Sequence, residues 1–209
     1  MTGLIDLTTL AVFLPAALIL NLTPGSDFLY CLGQGIKGGP LCGISASLGI
    51  ATGSLIHCLL AAFGLSAVFG LYPVAFEILR WSGVCYLLWL AYRSLQETGR
   101  LVIPDDGETR QWLHAWRDGV MVNLLNPKVA IFILAFIPQF IVAERGSPIL
   151  QFLILGLVFN ISGTSVNAIV GVSGARLGDW LRRSPAIARQ LQIISAIVFV
   201  VIAIRLATG

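Results

Sequence analysis

Two stretches of the chain carry no Asp, Glu, Lys or Arg: Gly38 to Phe76 and Gly146 to Ala175. A bilayer span takes about 20 apolar residues, so each stretch holds one span with margin. Read over the whole chain, the apolar runs predict six spans, near Leu7–Ile36, Leu41–Gly70, Pro73–Arg93, Gly119–Ala143, Pro148–Gly171 and Gln190–Thr208. The third is the weakest, because only 12 residues separate Arg80 from Arg93. Arg80 is expected to snorkel at an interface, steadied by Glu77 three residues earlier. The first span is interrupted by Thr23-Pro24-Gly25. Proline removes an intrahelical hydrogen bond and glycine adds freedom, so a break is expected there, with the helix restarting through Asp27.

The interruption has a counterpart. Asn21-Leu22-Thr23-Pro24-Gly25 in span one is matched by Asn123-Leu124-Leu125-Asn126-Pro127-Lys128 in span four. Spans three and six end alike, in Ala91-Tyr92-Arg93 and Ala203-Ile204-Arg205. With three spans per half, the two halves must insert in opposite orientations. The expected fold class is therefore all-α, a polytopic membrane protein of six transmembrane helices in two inverted three-helix repeats. Residues 1–209 form a single transmembrane domain, with repeat one at 1–95, a cytoplasmic loop at 96–117 and repeat two at 118–209.

Composition agrees with this pattern. Of 209 residues 57% are hydrophobic and 11% charged, and the mean hydropathy is +0.90. Soluble domains carry about 25% charged residues, so lipid is the solvent for most of this surface. Nucleic-acid binding is not expected, since no basic cluster with interleaved aromatics exists. The N-terminal run has no basic n-region and reads as a retained helix rather than a cleaved signal. Cys31, Cys42, Cys58 and Cys85 include no C-x-x-C pair and read as packing residues.

Charge placement sets the orientation. Nine Lys and Arg lie in the loops after spans one, three and five, against Arg80, Arg145 and Arg205 on the other side. Positive-inside bias then puts both termini in the periplasm, and the protein in the bacterial inner membrane as a multi-pass chain. The long loop holds a Pro104-Asp105-Asp106-Gly107 turn signal. Trp112 and Trp116, like Trp81 and Trp180, read as belt tryptophans.

Asp27 and Lys128 are the ionisable groups placed inside spans, each just past a proline break. Intramembrane charges usually face a cavity or pair. Asp27 would meet a substrate ammonium or a proton and Lys128 a carboxylate; otherwise the two form a structural bridge, or a bridge that opens as a gate. The breaks at Pro24-Gly25 and Asn126-Pro127 leave helix N-termini suited to an anion. Ser45, Gly49, Gly53, His57 and Ala61 recur every four residues, as a close-packing face does. His57 reads equally as a proton relay or a hydrogen-bonded structural residue. Gly156, Asn160 and Thr164, with Asn167 near by, either line a polar path or tie helices together. No metal-ligand spacing, Walker loop or nucleophile triad is present, so no cofactor and no enzymatic activity are expected.

At these motifs the chain resembles the LysE/RhtB family of amino-acid exporters. The likeness covers essentially the whole chain. It is strongest in Pro24-Gly25-Ser26-Asp27-Phe28-Leu29 and from Gly119 through Asn123-Leu124-Leu125-Asn126-Pro127-Lys128 to Phe136-Ile137-Pro138-Gln139-Phe140. Gly49, Gly53 and Gly64 around His57, and Gly83 with Tyr86-Leu87, fit the same pattern. Ser26 stands where the family often has a second proline, and Ala91 where it often has glycine. The resemblance implies secondary export of amino acids or close derivatives driven by the proton gradient, often by a homodimer. With no second intramembrane acid to match a basic substrate, a neutral or short polar side chain is expected. Two other readings compete. An inorganic ion exporter, such as one for divalent cations, needs several oxygen ligands, and Asp27 is the lone credible intramembrane carboxylate. A thiol-disulfide electron carrier needs a cysteine in each half, and all four lie before residue 86.

Overall fold

The structure is a computed structural model and describes residues 4–71, 73–96, 112–174, 176–177 and 185–208. Among the described residues every regular element is helical. Helix α1 (Leu7–Leu22) starts at Asp6, whose carboxylate accepts the Thr9 N–H at 2.7 Å. Thr23 closes it, because its N–H and Oγ1 both donate to the Ile19 carbonyl, at 2.9 and 2.7 Å. Pro24 has no N–H with which to extend the ladder.

Helix α2 (Ser26–Leu71) restarts the chain after the break and bends at Gly39, where φ is 74° and ψ −173°. Glycine takes this backbone readily, and Pro40 disfavours a helical residue before it. The loop expected between Ile36 and Leu41 is therefore a one-residue kink inside a longer helix. α3 (Pro73–Gln96) follows, then α4 (Trp112–Leu124). α4 begins earlier than Gly119, so Trp116, Arg117 and Asp118 sit on a helix and not in a loop. The second break follows, and α5 (Pro127–Ile131) runs on as a π turn, Phe132–Phe136, and a 3-10 turn, Ile137–Phe140. After a short 3-10 turn at Ala143–Arg145 come α6 (Pro148–Val172) and α7 (Pro185–Thr208).

Among the described residues two helices are long and apolar enough to cross a membrane, Ser26–Gly64 and Pro148–Val172. The pair Trp112–Leu124 and Pro127–Phe140, bent by 54°, makes a third if it counts as one span. The first expected span is split by its break, which leaves α1 with 16 residues. The turn at Pro104–Gly107, Arg100, Arg110, Trp180, Arg182 and Arg183 lie outside the described residues. Arg80 and Glu77 pair at 3.0 Å, as their spacing predicts.

Small residues bring the helices together. A Cβ at Gly49 would collide with the Trp116 carbonyl oxygen of α4, and one on Gly119 would stand 2.7 Å from the Ala46 carbonyl oxygen of α2. Ser45 Oγ donates to the Trp112 carbonyl at 2.7 Å. The four-residue stripe is thus the α2–α4 seam. On the other side, a Cβ at Gly43 would lie 2.5 Å from the Gly171 carbonyl carbon of α6, and Ser47 Oγ donates to the Thr164 carbonyl at 2.9 Å. α3 lies on α7, with Ser94 Oγ donating to the Gln192 carbonyl at 2.8 Å. An aromatic core joins the α5 turns to α1 and α6. Phe13 packs 5.3 Å from Phe140, and Phe132 packs 4.7 Å from Phe159, centroid to centroid. The outward faces stay apolar. Leu60, Phe63 and Ile169 are 66%, 73% and 66% exposed, a surface suited to lipid and not to water.

Candidate functional site

The two breaks meet. Asp27, in the first turn of α2, is buried, and its carboxylate accepts Asn123 Nδ2 and Asn126 Nδ2, each at 2.8 Å. Asn126 also caps α5, where its Oδ1 accepts the Lys128 N–H at 3.0 Å. One amide therefore serves both breaks. Lys128 reaches back to the end of α1, where its ammonium donates to the Leu20 and Thr23 carbonyls at 3.2 and 3.1 Å. Carbonyls at a helix C-terminus are unpaired and carry negative partial charge, so a cation is well placed there. A Cβ at Gly25 would stand 3.0 Å from Lys128 Nζ, which explains a glycine at that point of the break.

A cavity of about 510 Å³ opens on this junction, within the size range of small-molecule sites. Pro24, Gly25, Asn126, Pro127 and Lys128 form one wall. Tyr86, Trp89, Arg93 and Ser94 of α3 and Phe199 of α7 form others. The Arg93 guanidinium lies 5.1 Å from the Trp89 ring centroid. A second, much smaller cavity of about 20 Å³ lies on the other side of the junction. Asp27, Asn123, Asn160 and Thr164 border it.

The residues singled out in the sequence thus divide between two cavities. Pro24, Gly25, Asn126, Pro127 and Lys128 line the large one; Asp27, Asn123, Asn160 and Thr164 line the small one. His57 lines neither and lies 3.3 Å from the Asn123 carbonyl through Nε2. Asn160 ties α6 to α2 by donating to the Ala51 carbonyl at 2.8 Å, and Thr164 Oγ1 donates to the Asn160 carbonyl at 2.7 Å. Asn160 thus joins helices and edges a polar space, while the Thr164 hydroxyl bonds within α6 and edges the same space. The α3 and α7 lining was not anticipated. In the sequence Trp89 is one aromatic among apolar residues and Arg93 marks the end of a span, and both acquire meaning through the packing of α3 on α7.

The family described as LysE type translocator matches residues 18–209. The chain belongs to that family. A homoserine/homoserine lactone efflux protein of Salmonella typhimurium is 29% identical over 170 residues, 81% of this chain and 82% of that one. A leucine efflux protein of Klebsiella pneumoniae is 27% identical over 201 residues, covering 94% and 93% of the two chains. A membrane protein of Vibrio cholerae with no assigned function is 29% identical over 209 residues, 98% of each. No solved structure matches. The LysE match spans both breaks, and with them every residue that borders the two cavities.

Proposed function

We propose that this LysE-family protein is a secondary transporter that exports amino acids or close derivatives across the bacterial inner membrane. The observation that carries the reading is the meeting of two broken helices at a buried carboxylate, beside a cavity large enough for an amino acid. The efflux proteins among its relatives support the substrate class. Lys128 takes the substrate carboxylate. To do so it leaves the Leu20 and Thr23 carbonyls, which frees the end of α1 and lets a substrate ammonium replace it. Asp27 carries the coupling proton, and its amide partners hold it at the junction of the halves.

The chain is read as six transmembrane segments in two inverted repeats with both termini periplasmic. A reciprocal pair of contacts supports the repeat. Asn123 of the second half packs on Gly53 of the first, with Oδ1 3.0 Å from a Cβ placed there. Asn21 of the first half packs on Gly163 of the second with the same 3.0 Å approach. Rocking one repeat against the other about these contacts gives alternating access, and a homodimer is the assembly proposed. The test is efflux from preloaded vesicles over a panel of neutral, acidic and basic amino acids, comparing wild type with Asp27→Asn and Lys128→Met at matched protein levels. Export of leucine, homoserine or threonine that both variants lose supports the reading. Export that both variants retain overturns the site, and no export of any amino acid overturns the function.

A further inference from the structure

The small cavity behind Asp27 has a chemistry that substrate binding leaves unexplained. It measures about 20 Å³ and is bordered by α1, α2, α4, α5 and α6. One water-sized particle needs about 10–15 Å³ by this kind of measure, so there is room for one. Ser54 and Asn123 border the cavity, and one buried oxygen of each, Ser54 Oγ and Asn123 Oδ1, has no hydrogen-bond partner among the described residues. Ser54 is 4% exposed and Asn123 1%. Such orphan groups are costly at membrane depth.

The amide orientation of Asn123 is fixed by chemistry. Its Nδ2 donates to Asp27 Oδ2 at 2.8 Å, and the reverse orientation would set two acceptors against each other. Asn123 Oδ1 is therefore an acceptor that calls for a donor or a cation. The Asp27 carboxylate also lies on the border, with Asn21, Asn160, Thr164 and Asn167. Its hydrogen-bond donors, the Asn123 and Asn126 amides and the Ser26 hydroxyl at 3.4 Å, are neutral and fill lone pairs without adding an opposite charge. A water would satisfy two acceptors and leave the charge. A cation satisfies carboxylate, amide and hydroxyl together and neutralises the carboxylate at a depth where bare charge is expensive. A divalent ion would leave an excess positive charge with one carboxylate present, and the volume favours a small ion.

We infer that this cavity binds one sodium-sized monovalent cation through Asp27, Asn123 Oδ1 and Ser54 Oγ. The site stands on its own geometry; its use as a second coupling site, sharing Asp27 with the proton, rests on the export reading above.

The test is thermal unfolding of the purified full chain in detergent, titrated with sodium chloride against potassium and choline chloride at constant ionic strength. Sodium is expected to raise Tm saturably, as a ligand of the folded state does, with little effect from the other two. Ser54→Ala removes one oxygen and is expected to raise the half-saturating sodium concentration about tenfold. Asp27→Asn is expected to abolish the sodium effect while Tm in choline stays measurable. Equal effects of the three salts on wild type overturn the site, as does a sodium response that both variants keep. Vesicle efflux of leucine with sodium replaced by choline separates the two readings. Sodium binding without any amino-acid export sinks the export reading alone, and full export with no sodium response in Tm sinks the cation site alone.

Discussion

The two helix breaks occupy corresponding places in the sequence yet solve the same problem differently. At the first, the freed carbonyls of α1 receive an ammonium from the other half, Lys128. At the second, a freed N–H of α5 receives a cap from its own half, Asn126. The charges are also unlike: an acid follows the first break and a base the second. Each half thus completes the other. Asn123 and Asn126 hold Asp27, and Lys128 holds α1. The two breaks carry complementary polar groups, and the end of α1 at the first is met by a side chain from beyond the second.

The largest expected effect comes from removing the acid. Asp27→Asn sets two amide donors facing an amide in place of a carboxylate, and charge-assisted bonds contribute about 1.5–3 kcal/mol each. Leucine or homoserine efflux is expected to fall about a hundredfold, measured as initial rates in preloaded vesicles. Lys128→Met should lower efflux about tenfold, with Lys128→Arg recovering part of it, because the uncapped end of α1 is still held by Thr23. Next come the paired asparagines. Asn123→Ala should destabilise the fold by about 2 kcal/mol, since a bond to a charged group is lost. Asn21→Ala should cost about 0.6–1.7 kcal/mol, since its bond to Ser162 at 3.1 Å is neutral. Equal losses in denaturant unfolding of the two variants would mean that the breaks are interchangeable after all.

The smallest effect lies away from both breaks. Asp6 caps α1 and pairs with Arg145 at 2.6 Å. Bonds from the Thr9 side chain and N–H, and then Arg145, hold its carboxyl down to about 2, from 3.8. A carboxyl lowered on folding stabilises the native state above its unfolded pKa, and the contribution fades as pH falls through the folded one. Stability of the α1 end should therefore drop between about pH 4 and pH 2 in wild type. Asp6→Asn should flatten that step, read by hydrogen exchange at the Thr9 and Leu10 amides.

Much of this site was legible beforehand because it consists of exceptions. Proline and charge are rare in apolar helices, so Pro24, Asp27, Pro127 and Lys128 stand out, and the breaks lie where those residues place them. The Ser45–Ala61 stripe was legible because its period is helical and its residues are small, and it forms the α2–α4 seam. What could not be read was which partners the exceptions would choose. A bridge between Asp27 and Lys128 was as natural from sequence as the exchange found, in which each answers a different end of the other half. The kink at Gly39 was hidden because Gly38-Gly39-Pro40 is equally good loop sequence. Tyr86, Trp89 and Phe199 were hidden because an aromatic in an apolar span has the same pattern whether it faces lipid or a cavity.

The double duty of Asn126 has a mechanical corollary. Its oxygen secures the start of one helix while its nitrogen grips the acid of another. Turning that side chain away from Asp27 also strips the cap from α5, while Asn123 keeps its own bond to the carboxylate. The start of one helix and the grip on another's acid thus hang on a single side chain, and a substitution there is felt at both.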